Sequence, residues 1–173
     1  IKHASPGLEI LPMRGNVGTR LTKADGLEYD GVIVAAAGMI RLSLESEITE
    51  FLPVELCTPD AGQGALAVET RTSVAEIHDL LAAINHRETH ITVTAEREFI
   101  AAIGGGCRVP VAAFATIDGE KLRLTAMAGL PDGSELFRVE IVGEISDSKS
   151  AGQSAAHSLM ESGASSILYR APA

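Results

Sequence analysis

A chain of 173 residues with 46% hydrophobic side chains can bury a real core, as one domain or two small ones. Its net charge of −9 argues against nucleic acid as a partner, since phosphate binding needs a cationic surface, and no apolar run approaches the roughly 18 residues of a membrane span. Cys57 and Cys107 are its two cysteines, too few for a disulfide framework and suited to a reducing compartment, so a soluble, cytoplasmic protein is expected.

Ile1 is not an initiator methionine, and the chain is expected to begin after processing or inside a longer gene product. From Leu8 to Met13 an apolar run leads into Arg14-Gly15-Asn16-Val17-Gly18-Thr19-Arg20-Leu21. Asp25-Gly26 then stops a short helix before Tyr29–Ala35. This pattern predicts strand, helix, strand, and so part of a parallel α/β unit with its functional loops at the strand ends. Pro59–Gly64 is rich in turn residues, and Ala65–Glu69 is a further expected strand. Ser73 and Glu76 have capping-box spacing, with Ile77, Leu80, Leu81 and Ile84 on one face of the helix that follows and expected in the core.

A second helix is predicted from about Thr94 to Ile103, with Ala95, Phe99, Ala102 and Ile103 facing inward. Beyond Pro110 the period changes to two. Val111–Ile117, the alternation of Leu122, Leu124, Ala126 and Ala128, and then Phe137, Val139 and Ile141 predict a three-stranded antiparallel meander. Its turns fall at Asp118-Gly119 and Pro131–Ser134. Gly152, Ala155, Ala156, Leu159 and Met160 form one face of a last helix that stops near Gly163. The residues from about Arg87 onward therefore read as a small α+β domain with helices on one face of its sheet.

Two features carry chemistry. The first is the choice of cation: apart from Lys2, Lys23, Lys121 and Lys149, the 14 cationic side chains are arginines. A guanidinium fork binds carboxylates bidentately, so an acidic chain with clustered arginines suits a multiply carboxylated small molecule, although most surface arginines are merely solvated. The second is Gly104-Gly105-Gly106-Cys107-Arg108-Val109-Pro110. A lone cysteine is usually a small buried hydrophobe. The glycines and proline around Cys107 favour instead a thiol presented in an open turn, just past a helix end whose dipole gives it no help as a thiolate. His3, His78, His86, His90 and His157 have no metal-ligand spacing. Asp25, Asp30, Asp60 and Asp118 fit turns better than a general acid site.

The motifs Arg14-Gly-Asn-Val-Gly-Thr-Arg20-Leu, Tyr29-Asp-Gly-Val-Ile-Val-Ala-Ala-Ala-Gly-Met-Ile-Arg41-Leu, Gly62-Gln-Gly-Ala-Leu, Ala95-Glu-Arg-Glu-Phe and Gly105-Gly-Cys107-Arg-Val-Pro stand in order with plausible spacing. In them the chain resembles the porphobilinogen deaminases, also called hydroxymethylbilane synthases, and it is similar to the second half of that family. The resemblance implies two α/β domains of the periplasmic-binding-protein type around a cleft, and a third, α+β domain that carries the cofactor cysteine. Residues 1–56 would then be part of domain 2, 57–86 a crossover with a returning piece of domain 1, and 87–173 the cofactor-anchoring domain.

It also implies a transferase of porphyrin and haem biosynthesis that joins porphobilinogen units head to tail with release of ammonia, and that is a cytoplasmic monomer. Cys107 would hold a dipyrromethane primer through a thioether. Arg14, Asn16, Arg20, Gln63 and Gly64 would bind that cofactor, and Arg41 with Arg20 the substrate. Gly104 and Ala112 depart from the family pattern, where an acidic residue and a glycine are common. The family's catalytic aspartate would lie before Ile1, so no catalytic residue is expected in this chain, which alone should be inactive. The competing expectation is a non-catalytic α/β module that binds carboxylates.

Overall fold

The structure, a computed structural model, describes residues 1–26, 28–104 and 109–168. The chain is a mixed α/β protein that divides into two compact units, Gly7–Pro53 and Ile1–Pro6 with Val54–Ala173.

In the Gly7–Pro53 unit, α1 spans Val17–Ala24 and α2 spans Ala36–Arg41. Asn16 starts α1 by accepting the Thr19 amide on its side chain at 2.9 Å, which answers one of the donors that a helix start leaves free. Asp25 and Gly26 end it, as the sequence predicts, with their amides turned back onto Leu21 and Lys23. The two helices touch where Val17 reaches Gly38, and Met39 is the fully buried side chain of this unit among the described residues. Residues 8–13 and 29–35 are not strands. They run extended without ladder partners among the described residues, and Leu8, Ile10, Leu11 and Ile33 are about half exposed. A strand exists only when its amides and carbonyls meet a neighbour, which an apolar run by itself does not provide. The expected strand at 65–69 is unpaired for the same reason.

The second unit contains α3 (Ala75–Ala82), α4 (Arg87–Ile103), β1 (Val111–Asp118), β2 (Lys121–Gly129), β3 (Leu136–Glu144) and α5 (Ser148–Leu159). Its sheet is the predicted meander, in the order β1-β2-β3, with Ala115 opposite Leu124 and Leu124 opposite Ile141. Gly119 and Gly133 take the positive φ that their turns need. Leu122, Leu124, Ala126 and Ala128 point one way and are completely buried, under α4 and α5. This is the half-buried alternation of an antiparallel sheet with helices on one face.

Two helices depart from expectation. α3 makes no capping box: Val74 precedes it with no side-chain bond, and Ile77, Leu80 and Ile84 are exposed at 37%, 74% and 68%. The apolar stripe expected in the core is uncovered among the described residues. α4 begins seven residues early, because the His86 ring caps the Thr89 amide at 3.3 Å and Thr89 Oγ1 bonds the same ring nitrogen. Ala95 and Phe99 face inward as predicted and Ile103 is half-buried, whereas Ala102 is exposed. Gly104 ends α4 in the left-handed conformation.

α5 lies across α4 at Gly152. A Cβ there would sit 2.7 Å from Glu98 Cβ and 2.8 Å from the Phe99 amide nitrogen, besides striking the Ala95 carbonyl oxygen. The helix backbones approach this closely only because residue 152 has no side chain. Beyond Met160, Gly163 adopts φ +106 and kinks the helix into its final turn, Ser165–Leu168.

Candidate functional site

Arg14, Asn16 and Arg20 meet at the start of α1. Gly15 takes φ +132 immediately before the helix, and an added Cβ would lie 2.8 Å from Thr19 Cγ2, so the turn needs glycine twice over. Arg20 folds back and donates from Nε to the Gly15 carbonyl at 2.9 Å, which restrains its side chain. Lys23 Nζ donates to the Arg14 carbonyl at 3.3 Å. With the Thr19 amide taken by Asn16, the amides of Val17 and Gly18 are the free donors of this helix start. Arg41 closes α2 and is exposed.

None of these three arginines forms an ion pair among the described residues, where the pairs are Lys121–Glu144, Arg123–Glu140 and His157–Glu161. In a chain with 23 acidic residues, three guanidinium groups left without a carboxylate, two of them beside free helix amides, are suited to an external anion.

Gln63 and Gly64 lie in the other unit, in a turn in which both are exposed. Gly62 and Gly64 line a cavity of about 970 Å³ with His86, His90, Val93 and Arg97. Cys107, with Gly105, Gly106 and Arg108, lies outside the described residues. Asp25 caps α1, Asp118 ends β1 at the hairpin, and Asp60 accepts the Ala61 amide at 2.8 Å, all turn roles as expected. Among the described residues no three His, Cys, Asp or Glu side chains form a metal cluster, and no helix is long and apolar enough to cross a membrane.

The sequence reading missed Glu96. This carboxylate sits in mid-α4 at 5% exposure, taking the Gly62 amide at 2.7 Å on Oε2 and the Ala115 amide at 2.9 Å on Oε1. Only its place inside the motif Ala95-Glu-Arg-Glu-Phe marks it, since a glutamate in a helix otherwise reads as surface. Burial pushes its pKa up from the ordinary 4.5, and the two amides offset part of that rise. The folded protein therefore holds the Glu96 proton more tightly than the unfolded chain does. The stability this contributes is full below about pH 4.5 and is lost as pH rises through the elevated folded value. Denaturant unfolding of wild type and Glu96→Gln across pH 4–7 should show wild type losing ground to the variant as pH rises; a constant difference would contradict the assignment.

The class that the fold defines is an acidic, mixed α/β protein with a three-stranded antiparallel sheet packed under helices. Residues 1–79 match the family model described as "Porphobilinogen deaminase, dipyromethane cofactor binding domain", and residues 90–161 match "Porphobilinogen deaminase, C-terminal domain". The chain belongs to the porphobilinogen deaminase family, which is the hydroxymethylbilane synthase family of transferases in tetrapyrrole biosynthesis.

Proposed function

We propose that this chain supplies the carboxylate-binding and cofactor-anchoring part of a hydroxymethylbilane synthase, which condenses four porphobilinogen units head to tail into hydroxymethylbilane and releases ammonia. The observation that carries this reading is the set Arg14, Arg20 and Arg41, free of acidic partners among the described residues and lying inside the segment matched to the cofactor-binding domain. Each pyrrole of the substrate brings an acetate and a propionate, and planar guanidinium forks answer that need better than lysines.

The residues present fit a dipyrromethane. Arg14, Arg20 and the α1 amides would hold its carboxylates, with Asn16 keeping the helix start in shape; Gln63 and Gly64 would meet it from the exposed turn, and Cys107 would anchor it through sulfur. When bound, this group supplies the primer on which the chain of pyrroles grows. Arg41, with Arg20, would receive the acid groups of incoming porphobilinogen. Cys107 acts as a tether, so it needs no depressed pKa. The proposed division is 1–56 in domain 2, 57–86 crossing to domain 1, and 87–173 as domain 3. The enzyme is proposed to act as a cytoplasmic monomer in haem-type biosynthesis. Turnover is proposed to need the family's aspartate, a role for which we propose no residue of this chain.

Intact-mass measurement tests the reading. The complete polypeptide, made in cells that supply porphobilinogen, should carry a two-pyrrole adduct that Cys107→Ser abolishes along with activity. An unmodified wild-type thiol would instead support a non-catalytic carboxylate-binding module.

A further inference from the structure

Glu96 is a buried ionisable group for which the proposed chemistry has no use, and no cationic side chain pairs with it among the described residues. Burying a carboxylate without a cation is costly, so its retention in place of an apolar side chain calls for something only a carboxylate does. What it does is accept on both oxygens at once. Oε2 holds the amide of Gly62 and Oε1 the amide of Ala115, so one side chain ties together α4, β1 and the turn at 60–65. β1 is an edge strand, and the Ala115 amide is turned toward α4 rather than into the ladder with β2.

The turn itself is compact. The Ala61 amide donates to Asp60 Oδ1 at 2.8 Å, the Gln63 amide to the Asp60 carbonyl at 3.2 Å and the Ala65 amide to the Gly62 carbonyl at 3.3 Å. These bonds shape the turn from within, and Ala61 packs on the core, but the hydrogen bond from Gly62 to Glu96 sets where its backbone sits against α4. α4 and β1 are also the two elements that flank, in sequence, the run bearing Cys107: α4 ends at Ile103 and β1 begins at Val111.

We infer that Glu96 is a positioning residue: its two backbone bonds fix the Gly62-Gln63-Gly64 turn against the α4–β1 frame from which the Cys107 run departs. Gln63 and Gly64 thereby stand at a set place before any two-pyrrole group arrives. This rests on the proposed function, in which Gln63, Gly64 and Cys107 bind one and the same group. Preorganisation of this kind acts on loading and on binding, over and above its effect on stability.

The test compares wild type, Glu96→Gln and Glu96→Asp as complete polypeptides, at a temperature where all are folded. Amide hydrogen exchange in the cofactor-free proteins should be about tenfold faster in peptides covering 60–65 for Glu96→Gln, the effect of losing one charge-assisted hydrogen bond. The rate at which the two-pyrrole adduct appears by mass on adding porphobilinogen should fall about as much. Glu96→Asp, which keeps the charge but cannot span both amides, should fall between the two.

A lower melting temperature with wild-type exchange at 60–65 and wild-type loading would overturn the inference and leave Glu96 a structural cap on β1. Should Glu96→Gln fail to accumulate, Gly62→Ala serves in its place. It strains φ +78 in open space and leaves the Ala115 bond intact, so slowed loading supports the inference and wild-type loading overturns it. If wild type itself never acquires an adduct, the proposed function fails first, at the control, and takes this inference with it.

Discussion

Gly152→Ala should lower the melting temperature of the complete protein by about 5 °C. The missing Cβ would fall inside contact distance of the Ala95 carbonyl, of Glu98 Cβ at 2.7 Å and of the Phe99 amide at 2.8 Å. Two of these three are backbone atoms that cannot rotate aside. α5 must therefore move off α4, and with it Ala155, Ala156 and Leu159, which are buried against the same sheet. Overpacking of this kind costs about 1–3 kcal/mol, and each kcal/mol shifts the melting point of a protein of about 150–250 residues by about 2–4 °C. The helix propensity gained on replacing glycine by alanine returns at most about 1 kcal/mol. Gly143→Ala on β3, where an added Cβ meets nothing within 4 Å, is the control and should change the melting point little. An unchanged melting temperature for Gly152→Ala would mean that the helices do not cross as closely as described.

Gly152 also shows where a sequence stops being legible. Its spacing with Ala155, Ala156 and Leu159 marks an inward face, and that reading holds. A glycine in mid-helix otherwise reads only as a weakness, and its purpose is visible only in the helix that passes over it. The meander was readable because its information is local: alternation on Leu122, Leu124, Ala126 and Ala128 sets the face, and Asp118-Gly119 sets the turn. The segments at 8–13, 29–35 and 65–69 looked like strands because apolar runs report a wish for burial. Whether a neighbour supplies the ladder is not a local property. The early start of α4 was hidden behind Thr89, Thr92, Val93 and Thr94, β-branched residues that argue weakly for helix, and behind a histidine cap that falls outside the usual set. The helix start at Asn16, with Gly15 before it and an arginine on each side, is local again, and it falls inside the first motif. Glu96 escaped because its two partners lie 34 and 19 residues away.

Apart from Cys107, Arg20 carries the largest expected effect on activity. Its Nε bond to the Gly15 carbonyl restrains the side chain before any ligand arrives, while Arg14 offers a guanidinium with no such restraint and is more exposed. Preorganisation lowers the entropy lost on binding, so of the two residues Arg20 should contribute more. A bidentate guanidinium–carboxylate contact consists of two charge-assisted hydrogen bonds, each of about 1.5–3 kcal/mol. Loss of about 3 kcal/mol of transition-state binding corresponds to roughly a hundredfold loss in kcat/KM. Arg20→Ala in the complete enzyme should therefore reduce kcat/KM for porphobilinogen about a hundredfold, and Arg14→Ala by less. Arg20→Lys keeps the charge but loses both the fork and the hold on Gly15, so it should recover only a small part of the loss. Circular dichroism should show all three variants folded, since neither arginine is among the buried residues. Wild-type kcat/KM in Arg20→Ala would remove this residue from the site and leave the α1 helix start with Asn16 as a structural cap alone.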